Sequence, residues 1–317
     1  MQIQLLAPFE RAFNRMKTAL FKPFDLRKWL IIGFTAFLAD LLDGGGGGGR
    51  GMQNQSHGDW GAVLAAPYEA LEWLQSKPEW MTLLIFILIF AAALVLLLLW
   101  LSSRGKFMFL DNVVQQRALV SHPWHHYRQP AASLFRFRAL FALIILGLAG
   151  GTLYHLWRMA YTRWNESGDL WQLLPSLALW ILFLLLIILT FSYVKLLLDH
   201  FVVPLMYKHN LSCVQAWEKF MPLHWAHVGS FILYALFILI AIIALVALVV
   251  IGGLFTCCVG FVILAIPYLN SVLMLPFSYW LRSFSLEYLA QFGSEYNLLE
   301  EAGREEVNPY PEPPPVA

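Results

Sequence analysis

Apolar positions in this chain run together rather than alternating with polar ones. Residues 80–101, 173–194, 227–251 and 252–280 carry no charge when His227 is neutral. A helix crosses a hydrocarbon layer of about 30 Å with roughly 20 residues, and each of these runs is long enough. With two shorter runs, the pattern predicts an all-α, polytopic helical membrane protein. Its six spans are expected near 29–43, 80–101, 139–157, 173–195, 227–251 and 254–276. Before the first span, Leu6, Phe9, Phe13, Met16 and Leu20 recur at helical spacing, with Arg11, Arg15 and Lys17 on other faces. Such a segment lies in the headgroup region with its basic side on anionic lipid, or docks on the protein's own core. Trp60, Val63, Leu64, Pro67, Leu71 and Leu74 predict a second interfacial helix.

Composition sharpens this picture. Apolar residues make up 59% of the 317 and charged residues 13%, against about 45–50% and 25% in a soluble domain. The apolar excess exceeds what one core can hide, so lipid is its expected solvent. A net charge of +1 excludes the basic stripe of a nucleic-acid binder. Cys213, Cys257 and Cys258 have neither a disulfide nor a metal spacing. No secretory signal is expected, because the first long apolar run follows a basic amphipathic segment with no small-residue cleavage site after it.

Charge also orients the chain. Of the 21 Lys and Arg residues, only Arg50, Lys77, Arg158 and Arg163 fall in the segments expected outside. The excess of cations on the other side places both termini in the cytoplasm. It also requires 29–43 to cross, because the cations of 1–28 and those between Arg104 and Arg138 then share one side. The outer loop 43–59 contains the glycine run 44–49, read as a flexible linker; no GK[ST] follows it to make a phosphate loop. The acidic and proline-rich stretch 293–317 is expected to be a disordered cytoplasmic tail.

Three cytoplasmic elbows repeat a layout. Phe109-Leu-Asp111-Asn-Val-Val114 parallels Leu198-Asp199-His-Phe-Val-Val203, and Ala131-Ala-Ser-Leu-Phe-Arg136 parallels Cys213-Val-Gln-Ala-Trp-Glu218. Asn270-Ser-Val-Leu-Met-Leu-Pro276 begins a third return, so the spans read as three pseudo-repeated hairpins joined by amphipathic elbows. Two segments carry a resemblance: Tyr207-Lys-His-Asn-Leu-Ser-Cys-Val-Gln-Ala-Trp-Glu-Lys-Phe220, and Gly253-Leu-Phe-Thr-Cys-Cys-Val-Gly260 with Pro267. From about residue 100 to 290 the chain resembles poorly characterised bacterial six-span membrane proteins. These are similar to the helical membrane domain fused to some glycerophosphodiester phosphodiesterases. The resemblance implies a bacterial inner (plasma) membrane address and an architecture, with little chemistry. Only a short tail follows Gln291, so the catalytic domain of those enzymes is not expected.

Candidate chemistry gathers at the inner ends of spans. Asp40, Lys195 and Asp199 are ionisable residues near span interiors, where charge defaults to a functional role unless it anchors an interface. Lys195 and Asp199 are spaced for an i,i+4 pair. Asp111 and Asp199 occupy matching repeat positions and are read first as caps of the cytoplasmic helices, second as walls of a shared polar cavity. His122, His125 and His126, and separately His224 and His227, could in principle ligate metal, but no carboxylate or thiolate accompanies them; His200 is a further histidine on the cytoplasmic side. Trp124 and Trp225 beside them suit a headgroup belt. No nucleophile or cofactor motif is found, so neither catalysis, cofactor nor metal is expected. Membrane lipids are the expected surroundings, and a protein partner would use the elbows or the tail. The first functional reading is a scaffold or partner-binding membrane component. The second is a transporter, channel or lipid translocator, and the third a lipid-modifying enzyme resting on Asp111, Asp199, His125 and His200.

Overall fold

The protein is described by a computed structural model covering residues 4–42, 60–167, 174–256, 260 and 264–299. Helix is the only extended secondary structure among these residues. The glycine run 44–49, Cys257, Cys258 and residues 300–317 lie outside them.

In chain order the helices are α1 (Leu6–Phe21), α2 (Leu26–Ala39), α3 (Trp60–Ser76), α4 (Pro78–Val114), α5 (Ser121–His126) and α6 (Arg128–Ser167). They continue with α7 (Leu174–Leu197), a π-helical turn (Leu198–Val202), α8 (Val203–His209), α9 (Cys213–Ala226) and α10 (Val228–Phe255). The last are α11 (Pro267–Leu273), α12 (Leu275–Ala290) and a 3-10 turn (Ser294–Tyr296). Local chemistry explains several boundaries. Asp25 caps α2 by accepting from the Arg27 N–H at 2.8 Å. Ser212 and Gln215 form a reciprocal capping box that starts α9. Asn210, in the left-handed region at φ 51°, stops α8. Pro204 has no N–H to give to the carbonyl four residues before it, which is where the π turn sits.

Four stretches, Pro78–Val114, Arg128–Glu166, Pro175–His209 and Val228–Phe255, are helices long and apolar enough to cross a membrane. Only 6% of the most apolar window of each is buried within the chain, so nearly every side chain there faces outward. An exterior this apolar and continuous belongs in lipid rather than water. The two remaining predicted spans look different. The segment expected at 29–43 is the 14-residue α2, about 21 Å long and short of a 30 Å hydrocarbon layer. The segment expected at 254–276 begins with the end of α10, includes the seven-residue α11 and reaches the start of α12, with residues outside the description between α10 and α11.

The chain divides into two compact units. One takes Gly47–Leu99 and Arg136–Val194. Within it the Trp157 indole donates to the Leu64 carbonyl at 3.1 Å, and the Tyr68 ring lies 4.7 Å from Trp157 and 4.6 Å from Tyr161, which docks α3 on α6. His155 meets Trp180 at 4.5 Å and Phe141 meets Phe191 at 4.8 Å, joining α6 to α7.

The other unit takes Met1–Gly46, Trp100–Phe135 and Lys195–Ala317. Its core is aromatic: Phe201, Phe220, Phe231, Tyr234, Phe284 and Tyr288 are each at most 1% exposed. Helix α1 uses Ala12, Met16, Ala19 and Leu20 against this unit. Arg11 pairs with Glu287 of α12 at 2.8 Å, and Gln4 and Gln291 exchange two bonds of 2.9 Å. The docking alternative for α1 is therefore realised, while Leu6 and Phe13 stay exposed on another face. Helix α2 runs antiparallel to the last part of α4, because Thr35 meets Asn112 and the Ala39 carbonyl accepts from Ser102. Beyond the 3-10 turn Leu298 is buried, 2% exposed, and Lys208 donates to the Ser294 and Asn297 carbonyls, so packed chain continues past the expected tail boundary at 293.

Gly105 marks the closest approach of α4 and α2. A Cβ there would lie 2.5 Å from the Ala39 nitrogen and the Leu38 carbonyl carbon, both backbone atoms that cannot step aside. At Gly147 of α6 a Cβ would meet nothing within 4 Å. Gly105→Ala is expected to lower stability by about 1–3 kcal/mol through overpacking. Gly147→Ala is expected to be neutral or slightly stabilising. Thermal unfolding of both variants in detergent checks the pair; equal melting temperatures would contradict the contact.

Candidate functional site where the long helices end

Helix α4 has to end somewhere, and its last carbonyls need donors. Arg15 of α1 supplies its guanidinium to the Val114 carbonyl at 2.7 Å and to Val113 at 3.3 Å. The Tyr279 hydroxyl of α12 adds a bond to Val113 at 3.3 Å. A cation at a helix C-terminus also meets the negative end of the macrodipole. Gln116, at φ 50°, turns the chain away. Asn112, wholly buried, holds the following loop by donating to the Leu119 carbonyl at 3.0 Å and accepting from its N–H at 2.9 Å.

Two ion pairs stand beside this terminus. The Asp111 carboxylate is buried and takes Arg117 in a bidentate grip, with bonds of 3.1, 3.0 and 2.9 Å. Tyr207 of α8 donates to its Oδ1 at 3.0 Å. In the π turn, Asp199 receives the Lys106 ammonium at 2.8 Å, with the lysine side chain 3% exposed. Arg282 of α12 donates to the Asp199 backbone carbonyl. A buried carboxylate is tolerable only with such compensation. Asp111 does not act as a helix cap; it ties α4 to the loop after it and to α8. Asp199 is likewise a cross-link rather than a cap, since its turn starts with no side-chain cap bond.

The two ties share a direction. Residues 106 and 111 of α4 meet 199 and 207 respectively, so α4 and the end of α7–α8 lie parallel. Asp111 and Asp199 thus stand on two neighbouring parallel helices, each with its own cation.

The other candidates are placed as follows. Lys195 is exposed on α7, four residues before Asp199. His200 joins its Nδ1 to the Tyr234 hydroxyl at 2.6 Å, next to the aromatic core. His125 is exposed, with its Nδ1 2.8 Å from the Ser121 carbonyl. His122 stacks on His126 at 5.6 Å, whereas His224 packs on Phe220 and Phe231 and His227 on Phe292. Among the described residues, no three His, Cys, Asp or Glu side chains gather where they could hold a metal. Trp124 lies against Arg104, whose guanidinium sits 4.7 Å from both the Trp100 and Trp124 rings. Burial pushes the Cys213 thiol up to about 12, which makes it a packing group rather than a nucleophile. Glu295 accepts from Lys219 at 2.7 Å, and that bond holds its carboxyl below the ordinary value.

Sequence reasoning missed Lys106, Arg282, Arg15 and Tyr207. They are single polar residues in separate helices, and only the tertiary fold brings them to Asp199, Val114 and Asp111.

The class these features define is an all-helical protein with four helices fit for a membrane and a polar, ion-paired layer where two of them end. The chain matches a family of unknown function (DUF7544) over residues 5–291 and belongs to it. No match was found among the curated proteins or the solved structures.

Breaking the Lys106–Asp199 pair from one side strands a charge. Lys106→Met is expected to cost about 3–5 kcal/mol, while Lys106→Met with Asp199→Leu recovers most of it. Unfolding by SDS titration in mixed micelles reads both; a harmless single variant would show that the pair is not what holds this layer.

Proposed function

We propose that this protein is a six-pass membrane component that binds a protein partner through its cytoplasmic elbows. Parity supports six passes. Helix α4 is 37 residues, about 55 Å, and α1 reaches only its last carbonyls. On this reading the chain passes from the level of Asn112, where Thr35 lies, to Pro78 at the start of α4, with α2 as the first part of that passage. By the same argument α10 leads away for 28 residues and α12 returns to the aromatic core, so a passage that includes α11 lies between them. The two passages add to the four complete helices to give three hairpins. The cation excess favours a cytoplasmic side for the elbows and both termini, and the resemblance implies a bacterial inner membrane.

The observation that carries the partner reading is the second face of α9. Cys213, Ala216, Phe220 and His224 are buried. Val214, Met221 and Trp225 are 59%, 39% and 71% exposed, and they share the opposite face with exposed Glu218. An apolar stripe in a soluble layer asks to be covered, and an acid within it favours a partner surface carrying a Lys or Arg over anionic lipid. The buried layer supports a second reading, transport, because ionisable groups at a π turn beside a span are common on ion and substrate paths. A third, lipid modification, rests on Asp111, Asp199, His125 and His200, of which His200 lies against the Tyr234 hydroxyl.

For topology, single cysteines replace Ser76 and Ser121 in a background of Cys213→Ser, Cys257→Ser and Cys258→Ser. A membrane-impermeant maleimide is expected to label position 76 in intact cells and position 121 only after permeabilisation; the reverse pattern rejects the orientation. For function, the wild type and Val214→Glu/Met221→Glu/Trp225→Glu are isolated from native membranes in mild detergent. A stoichiometric protein partner held by the wild type and lost by the variant supports the reading. A protein isolated alone, with solute flux in liposomes that Asp199→Asn abolishes, replaces it with the transport reading.

A further inference from the structure

Helix α1 spends one face on α12, and this leaves the question of what its basic residues do. Arg11 and Arg15 are used, on Glu287 and on the end of α4. Lys17, Lys22, Arg27 and Lys28 are not: none of these four has an acidic partner among the described residues. All four belong to the corner where α1 hands over to α2. Asp25, the one acid of the corner, is engaged by the Arg27 backbone N–H at 2.8 Å. The corner keeps a net charge of +3 between residues 17 and 28.

Apolar groups project beside these cations. Phe21, Phe24, Leu26 and Leu30 are 44%, 60%, 60% and 39% exposed. They are not loose. The Trp29 indole donates to the Leu20 carbonyl at 2.8 Å, and its ring braces Phe21 at 5.5 Å and Phe24 at 5.6 Å. A rigid aromatic wedge ringed by unpaired cations matches a bilayer interface with anionic headgroups: rings enter the acyl boundary while ammonium and guanidinium groups meet phosphate. The α9 stripe differs by carrying Glu218, so the two exposed faces select different surroundings.

We infer that the α1–α2 corner, formed by Lys17, Lys22, Arg27 and Lys28 around Phe21, Phe24 and Leu26, is a docking site for anionic phospholipid of the inner leaflet. The inference rests on the membrane topology proposed above, since the corner must lie at the level where the chain enters the bilayer. Its geometry fixes which residues act. Charge sets the preference for the headgroup, and the wedge sets the depth.

The experiment uses the full chain in nanodiscs of equimolar phosphatidylcholine and phosphatidylglycerol. Release into mild detergent and native mass spectrometry then count the lipids retained. The wild type is expected to keep phosphatidylglycerol over phosphatidylcholine. Neutralising the corner with Lys17→Gln/Lys22→Gln/Arg27→Gln/Lys28→Gln is expected to lower that preference about tenfold, because each cation near a lipid surface contributes to it. A variant with Lys17→Arg/Lys22→Arg/Lys28→Arg keeps the charge and is expected to keep the lipid. Equal phosphatidylglycerol on the wild type and the neutral variant, with both monodisperse and helical by circular dichroism, overturns the site. So does loss in the arginine variant, which would point to lysine-specific contacts with something other than a lipid surface. A wild type that does not enter nanodiscs at all overturns the membrane topology and the corner with it, whereas entry without a preference overturns the corner alone.

Discussion

The end of α4 confronts the fold with an awkward set of groups: open carbonyls at Val113 and Val114, the Asp111 carboxylate and the buried Asn112 amide, all amid apolar helices. Each group left bare there would cost free energy comparable to a lost hydrogen bond or more. Their partners come from the whole length of the chain: Arg15 from α1, Thr35 from α2, Tyr207 from α8 and Tyr279 from α12. Satisfying one helix terminus therefore fixes the positions of four other helices. Lys106 and Asp199 add a second tie on the same side. The ordered layer is a consequence of this need, and its aromatic core fills the space the ties define.

This division of labour suits a protein whose spans bury so little on each other. Lipid tails are as apolar as leucine, so no hydrophobic force drives spans together inside a bilayer. Association has to come from close packing or polar contacts. Gly105 against Leu38 and Ala39 is such a close contact, and it lies beside the ion-paired layer. The open surroundings of Gly147 and Gly151 show the other regime, helix surface with nothing of the chain against it. Stability concentrated where the helices end leaves their apolar stretches free to meet lipid.

The helical class and the four long helices were legible in the sequence because they depend on runs of like residues. A charge-free stretch such as 80–101 needs no partner to identify it. Residues 29–43 show where that reading weakens: the run is apolar, yet Asp25 and Asp40 bound a helix of only 14 residues. The candidate site was legible by half. Asp111 and Asp199 stood out because charge next to a span is rare, and the repeat paired them. Their role as cross-links was not legible, since Lys106 and Arg282 are ordinary single residues until the fold brings them to Asp199. Likewise the periodicity of α1 could not separate a lipid face from a docking face. The position of α12 identifies the docking face, while Leu6 and Phe13 stay exposed on another.

Charge in this protein sorts by depth, and that sorting bears on what the protein can do. The buried ions are compensated by neighbours whose loss would destabilise the layer, so evolution of an acid or base there would have to be reconciled with holding the helices together. The exposed groups carry no such duty. Lys17, Lys22, Arg27 and Lys28 lack acidic partners among the described residues, and Val214, Met221 and Trp225 stay exposed. Residues under no structural obligation are the ones available for recognition. Interior ions serve as joints, while the charge and apolar surface that stay exposed face outward. The proposed binding role, with lipid at one corner and protein at another, draws on that outward surface and leaves the joints untouched.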